Sequence, residues 1–188
     1  MPASGATFEA LVRFDAPTAI GAQYAAAAYD GTNRCYPAYQ HFNSLTWMAA
    51  CGPAASPVYA DTFAAGHWVY MATTFSYDSD TNTTAQDVYM ADLTAGDTTL
   101  THYGTIEEAR TFSINRQFGI GGVWYNNALL YGSEGKIDEV TFYNGVKDGA
   151  FFQANLDLIN IPVPEPNSFV IFGTALVGLL AYAWRKRR

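Results

Sequence analysis

Short runs of alternating apolar and polar side chains, cut at near-regular intervals by turn residues, govern what this chain can become. Between residues 6 and 145 the stretches TFEALVRFD, AQYAAAAYD, RCYPAYQHF, SLTWMAACG, HWVYMATTFSY, QDVYMADL, RTFSINRQFGIGG and GKIDEVTFYN follow the strand period of two. Asp30-Gly31, Cys51-Gly52-Pro53 and Ala95-Gly96-Asp97 punctuate them, and strands at such spacing close into an all-β antiparallel sandwich. Composition agrees: 14% of residues are charged, while 13 Tyr, 12 Phe, 4 Trp and 16 Gly suit strands and turns. Only KDGAFFQANLDL has helical spacing, with Asp148 as its cap and Phe151, Phe152, Leu156 and Ile159 turned toward the sandwich.

The C-terminus follows different physics. Residues 169–184 carry no charge, and as a helix they span roughly 24 Å of a ~30 Å hydrocarbon core, or about 27 Å with Asn167 and Ser168. Phe169, Val170, Ile171, Phe172, Leu176, Val177, Leu179 and Leu180 each favour insertion by ~0.3–0.6 kcal/mol, with no central charge opposing them. A transmembrane helix is therefore expected over 167–184. Arg185, Lys186, Arg187 and Arg188 form a basic tail that stays cytoplasmic, which puts the body across the membrane. The expected organisation is a body at 1–158, a Pro-rich linker at 159–166, the helix at 167–184 and the tail at 185–188. MPASGATFEALVRF has neither a basic nor an apolar leader region, so export implies a start upstream of Met1.

Charge is segregated in the same way. Residues 1–162 hold six Lys/Arg against sixteen Asp/Glu, a formal charge of −10, whereas 163–188 hold four against one. So acidic a body repels phosphate backbones and anionic lipid, which argues against a nucleic-acid partner.

The ordered trio of Val163-Pro164-Glu165-Pro166, apolar helix and terminal Arg185-Lys186-Arg187-Arg188 resembles the PEP-CTERM sorting signal. What that resemblance implies is export in a Gram-negative bacterium, residence in the inner membrane with the body periplasmic, recognition by an exosortase, cleavage near the Pro-Glu-Pro, and release to the cell surface or an exopolysaccharide matrix. The prolines fit such a role, because they keep the segment extended and unable to pair as a strand.

In the body, the order HWVYMATTF, polar loop, QDVYMADL, FGIGG and GKIDEVTFYN, then a short helix, resembles the laminin G-like branch of the concanavalin A-like lectin and glucanase superfamily. Gly135, Ile137, Asp138, Glu139, Val140, Phe142, Tyr143 and Asn144 carry the similarity. It implies a jelly-roll sandwich. Family members have further strands before the equivalent of TFEALVRFD, so the resemblance also implies truncation and an unpaired edge there.

Hydrolases of that superfamily set Glu, Asp and Glu on one strand, with two carboxylates about 5–5.5 Å apart across the scissile bond. By strict alternation Lys136, Asp138 and Val140 share one face here and Ile137, Glu139 and Thr141 the other. Lys136 stands where the first Glu is needed, so the body is expected to be noncatalytic. A β-glucan hydrolase using Asp138 and Glu139 is the alternative. Glu107, Glu108 and Glu134 read as solvated surface.

Asp78, Asp80 and Asn82 have the alternating spacing of oxygen ligands for Ca2+, with Asp87 as an extra ligand, although Thr83 replaces the glycine of such a loop. A polar hairpin explains the same residues. His41, His67 and His102 show no ligand spacing. Cys35 and Cys51 are the only cysteines. They form either a disulfide, worth roughly 3 kcal/mol in the chain-entropy model, or two buried thiols. Among Trp47, Trp68, Trp124, Tyr125 and Tyr131, Trp68 reads as core, and Trp124-Tyr125-Asn126-Asn127 reads as an exposed loop able to stack on sugar rings. The favoured function is a noncatalytic module that binds extracellular polysaccharide. A purely structural surface protein is the third possibility.

Overall fold

The structure, a computed structural model, describes residues 5–15, 23–29, 34–40, 46–51, 58–108, 119–125, 128–130 and 132–159. The chain divides into two units, 1–157 and 158–188, and the strands all belong to the first. In order they are β1 (Gly5–Phe14), β2 (Gln23–Tyr29), β3 (Arg34–Gln40), β4 (Thr46–Cys51), β5 (Val58–Thr62), β6 (Val69–Asp78), β7 (Thr83–Asp92), β8 (Thr101–Glu108), β9 (Gly119–Ile120), β10 (Val123–Tyr125), β11 (Ala128–Leu130) and β12 (Gly135–Asn144). Helix α1 (Gly149–Ile159) follows.

Two five-stranded sheets form, ordered β12-β1-β6-β7-β8 and β5-β4-β3-β2-β9, together with a two-stranded β10-β11 ladder. Every pairing among them is antiparallel. Alternation explains the core. Phe8, Ala10, Val12 and Phe14 of β1, Val69 and Met71 of β6, and Val88 and Met90 of β7 point inward, where they meet Ala25 and Ala26 of β2 and Phe63.

In β12 strict alternation fails. Glu9 pairs with Thr141 but Leu11 pairs with Asp138, so Glu139 and Val140 together oppose a single residue of β1. This is a β-bulge, and Glu139 adopts a φ of 50° within it. The extra residue shifts the parity of β12, and Ile137 and Val140 both pack against the core. The expected common face for Asp138 and Val140 is thereby corrected.

The expected open edge at the first strand is corrected as well, since β1 lies between β12 and β6. The edge strand is β12. Its bulge and its exposed Lys136, Asp138 and Glu139 are features that discourage further strand pairing.

The outer face of this sheet is covered by α1. Asp148 caps the helix, its Oδ1 accepting the Phe151 N–H at 2.9 Å. Phe152 and Leu156 are buried, whereas Phe151 and Ile159 are half-buried. Phe152 packs against Tyr89, and Phe151 meets Tyr143 edge to face. Gln153 fixes the helix to the preceding loop, accepting from Leu100 N–H at 2.8 Å and donating to the Thr98 carbonyl at 2.9 Å.

Trp68, expected in the core, is half-buried beside the Arg13 guanidinium, 5.6 Å from its ring centre. Among the described residues no helix is long and apolar enough to cross a membrane. The span expected at 167–184 lies outside them.

Candidate functional site

The expected sugar platform falls on the β10-β11 hairpin. Trp124 and Tyr125 belong to β10, where they pair with Leu129 and Ala128. The last pair of that ladder is Tyr125 with Ala128. Asn126, Asn127 and Tyr131 lie outside the described residues. Trp47 is on β4, in register with Gln40, far along the chain from that hairpin.

A polar cluster centred on Glu9 has no local signal in the order of residues. Glu9 is only 7% exposed, and Tyr70, Tyr143 and Asn155 reach it as neutral donors. Its Oε2 accepts from Tyr70 Oη at 2.5 Å and Asn155 Nδ2 at 3.0 Å, and its Oε1 from Tyr143 Oη at 2.5 Å and Asn155 Nδ2 at 3.2 Å. Strands β1, β6 and β12 and helix α1 thus meet on one carboxylate, held by charge-assisted bonds. Burial, reinforced by Glu9, pushes the Tyr70 hydroxyl far above the ordinary tyrosine range, and the same causes raise Tyr143. The cluster ties the helix to the sheet, since Asn155 of α1 shares the carboxylate with Tyr70 and Tyr143.

A second cluster on the same face is open to solvent. Asp87 Oδ1 accepts from Thr105 Oγ1 at 2.5 Å and lies 3.1 Å from His102 Nε2, while Oδ2 accepts from Thr74 Oγ1 at 3.3 Å. The exposed His102 ring stacks on Tyr89 with centroids 4.7 Å apart. Burial and the nearby Asp87 and Asp148 charges raise the Tyr89 hydroxyl. His67 is likewise partnered, its Nδ1 2.7 Å from Asp92 Oδ2. Asp92 Oδ1 meanwhile accepts the N–H groups of Thr94 and Ala95 at 3.0 Å each. Both described histidines are thus held by a carboxylate, and His41 lies outside the described residues.

The calcium trio sits at the β6-β7 turn and satisfies itself. Asp78 Oδ1 accepts the Asp80 N–H at 2.9 Å and Oδ2 the Thr81 hydroxyl at 2.9 Å. Those bonds, the Asp80 one first, hold the Asp78 carboxyl below the usual range. Asn82 takes a φ of 52° to close the turn, and its Oδ1 accepts from Tyr77 Oη at 3.1 Å. Asp87 faces His102 and Thr105 instead. Among the described residues no three His, Cys, Asp or Glu side chains gather as a metal site.

The remaining acids are scattered. Glu139 lies in the bulge of the edge strand and Asp138 immediately before it, with the Glu139 N–H donating to Asp138 Oδ1 at 2.9 Å. Glu107 and Glu108 pair with Ala85 and Thr84 across β8 and β7. Glu134 is exposed, and its N–H donates to Gln23 Oε1 at 2.7 Å. Cys35 and Cys51 stand opposite one another in the β3-β4 register. The sorting residues Val163, Pro164, Glu165, Pro166, Arg185, Lys186, Arg187 and Arg188 lie outside the described residues.

The body is thus an antiparallel β-sandwich with a helix docked on one outer face. Its chain is similar to a native heptameric SAP-like pentraxin from Limulus polyphemus, with a TM-score of 0.51 and 11% sequence identity over 84% of this chain and 70% of that one. At that identity the likeness speaks for the fold. No curated protein matches the chain. Residues 162–188 match the PEP-CTERM protein-sorting motif, which marks an exosortase-targeted protein destined for the exterior.

Proposed function

We propose that this protein is exported in a Gram-negative bacterium, held in the inner membrane by residues 167–184, processed by an exosortase near Pro164-Glu165-Pro166, and delivered to the cell surface or the exopolysaccharide matrix. The match of residues 162–188 to the sorting motif carries this reading. Each part of the segment has a physical task. The prolines present an extended, unpaired backbone to a protease cleft. The uncharged run supplies insertion energy, and Arg185–Arg188 keep the end cytoplasmic.

The body, in this proposal, is a laminin G-like jelly roll that binds polysaccharide without hydrolysing it. Support for a noncatalytic role comes from Lys136, which occupies the place of the first acid, and from the bulge that holds Asp138 and Glu139 on an exposed edge. The proposed contacts are Trp124, Tyr125, Asn126 and Asn127, where two aromatic residues and two amides follow one another in the sequence.

Cell fractionation tests the sorting. Replacing Pro164, Glu165 and Pro166 with alanine should leave the full-length chain in the membrane fraction, while the unaltered protein is shortened and reaches the exterior. Identical processing of both would sink the proposal. Retention on immobilised exopolysaccharide, reduced at least tenfold by Trp124→Ala with Tyr125→Ala, tests the binding role. Unchanged retention would assign the contacts elsewhere, and cleavage of β-glucan that disappears on Glu139→Gln would make the body a hydrolase.

A further inference from the structure

The chain contains two cysteines, sixteen positions apart, and the β3-β4 ladder sets them directly opposite one another: Cys35 pairs with Cys51 and Tyr36 with Ala50. Opposed residues of an antiparallel pair lie about 4.5 or 5.5 Å apart at Cα, depending on whether the pair is hydrogen-bonded. Both separations fall inside the ~4.4–6.8 Å that a disulfide spans. A shift of register by one residue in either strand would remove the opposition. The backbone register therefore sets the only two cysteine positions of the chain opposite one another at a separation a disulfide can span.

The compartment supplies the second argument. A chain bearing an export-sorting motif folds where disulfides form and persist. From the juxtaposition of Cys35 and Cys51 on adjacent strands, we infer that the two residues form an intramolecular disulfide closing the β3-β4 hairpin. The inference rests on the export reading for its oxidant.

The chemistry balances as thiol–disulfide exchange with a protein disulfide oxidant of the exporting compartment. One cysteine thiolate attacks the oxidant's disulfide and releases one of its sulfurs as a thiol. The second cysteine thiolate then displaces the mixed disulfide and frees the other. Two protons and two electrons leave the Cys35–Cys51 pair, and the oxidant is reduced to a dithiol.

Position in the sheet gives the bond a consequence. Strand β5 is the edge of its sheet and pairs only with β4, so a covalent tie between β4 and β3 anchors that whole side of the sandwich to its centre. In the chain-entropy model a loop of this length, once closed, raises the Tm by about 6–12 °C over the reduced protein.

The test uses the full chain in two arms. In the first, purified protein is equilibrated in a mixture of reduced and oxidised glutathione, alkylated and digested. The expected result is one linked peptide containing Cys35 and Cys51, lighter by two hydrogens than its reduced parts, and a Tm that falls when dithiothreitol is added. Two alkylated thiols, glutathione adducts on both cysteines, or disulfide-linked dimers would each overturn the inference. Because this arm needs no variant, the folding of Cys35→Ser is not at issue. In the second arm the same digestion is applied to protein recovered from the exterior of cells. A bridge there supports the inference. Free thiols in that exterior protein would overturn the inference even if the bridge forms in the buffer, whereas failure to find the protein outside the cell, with the bridge formed in the buffer, supports the pairing and overturns the export reading instead.

Discussion

Replacing Tyr70 with phenylalanine removes one oxygen from the centre of the sheet-helix junction. Tyr70 is 2% exposed and its hydroxyl donates at 2.5 Å to Glu9 Oε2, which otherwise accepts only from Asn155 Nδ2 at 3.0 Å. Both residues are nearly inaccessible to solvent, so the loss is that of a buried bond to a charged acceptor, about 1.5–3 kcal/mol. Tyr143→Phe removes a geometrically equivalent donor at 2.5 Å from Oε1. Because Tyr143 is half-buried, water can replace the hydroxyl, and the cost falls to about 0.5–1.5 kcal/mol. The two donors share Glu9, so the double variant should depart from additivity by at least about 0.5 kcal/mol. Urea unfolding followed by tryptophan fluorescence at pH 7 measures all three. Equal costs for the single variants, a Tyr70→Phe cost below about 0.5 kcal/mol, or strict additivity would refute the picture of a sealed carboxylate.

Tyr70, Tyr89 and Tyr143 hold their protons more tightly in the folded chain than in the unfolded one. Their contribution is therefore complete below the unfolded tyrosine pKa of about 10 and is lost as pH rises through the raised folded values. The urea midpoint should decline above about pH 10, less steeply in Tyr143→Phe, and a flat profile would contradict this. Gln86 is fully buried on β7, and neither of its side-chain amide atoms has a partner among the described residues. Gln86→Met should therefore stabilise by about 1–2 kcal/mol, whereas a clear loss of stability would mean that the amide is paired. At Gly135, whose φ is +154°, a Cβ would lie 1.9 Å from the Arg13 carbonyl oxygen, while at Gly66, with φ +80°, nothing lies within 4 Å. Gly135→Ala should cost more than Gly66→Ala by about 1–3 kcal/mol in the same assay, and equal costs would show that β12 does not approach β1 so closely.

Much of the sandwich was legible because β1 and β7 alternate over most of their ten residues and β6 is a long run of strand-forming side chains. Strand β8, THYGTIEE, escaped notice. It is a sheet edge whose outer face is polar, so little apolar rhythm marks it. Strand β5, VYADT, is too short to show a period. The bulge at Glu139 was invisible for a different reason: an extra residue changes parity without changing composition, and it alone moved Val140 to the core side. Glu9 reads as an ordinary outward-facing charge because its partners stand 61, 134 and 146 residues further along the chain. Asp148 was legible as a cap since its partner is three residues away. Local chemistry could be read, whereas chemistry assembled by topology could not.

The claim on which the functional account turns is that residues 162–188 form a sorting segment removed during export. Mass spectrometry of the C-terminal peptide of the protein collected from the cell exterior tests it directly. The account predicts a terminus at or beside Val163-Pro164-Glu165-Pro166 and no peptide from 167–188. Exterior protein that still ends in Arg185-Lys186-Arg187-Arg188 would contradict it.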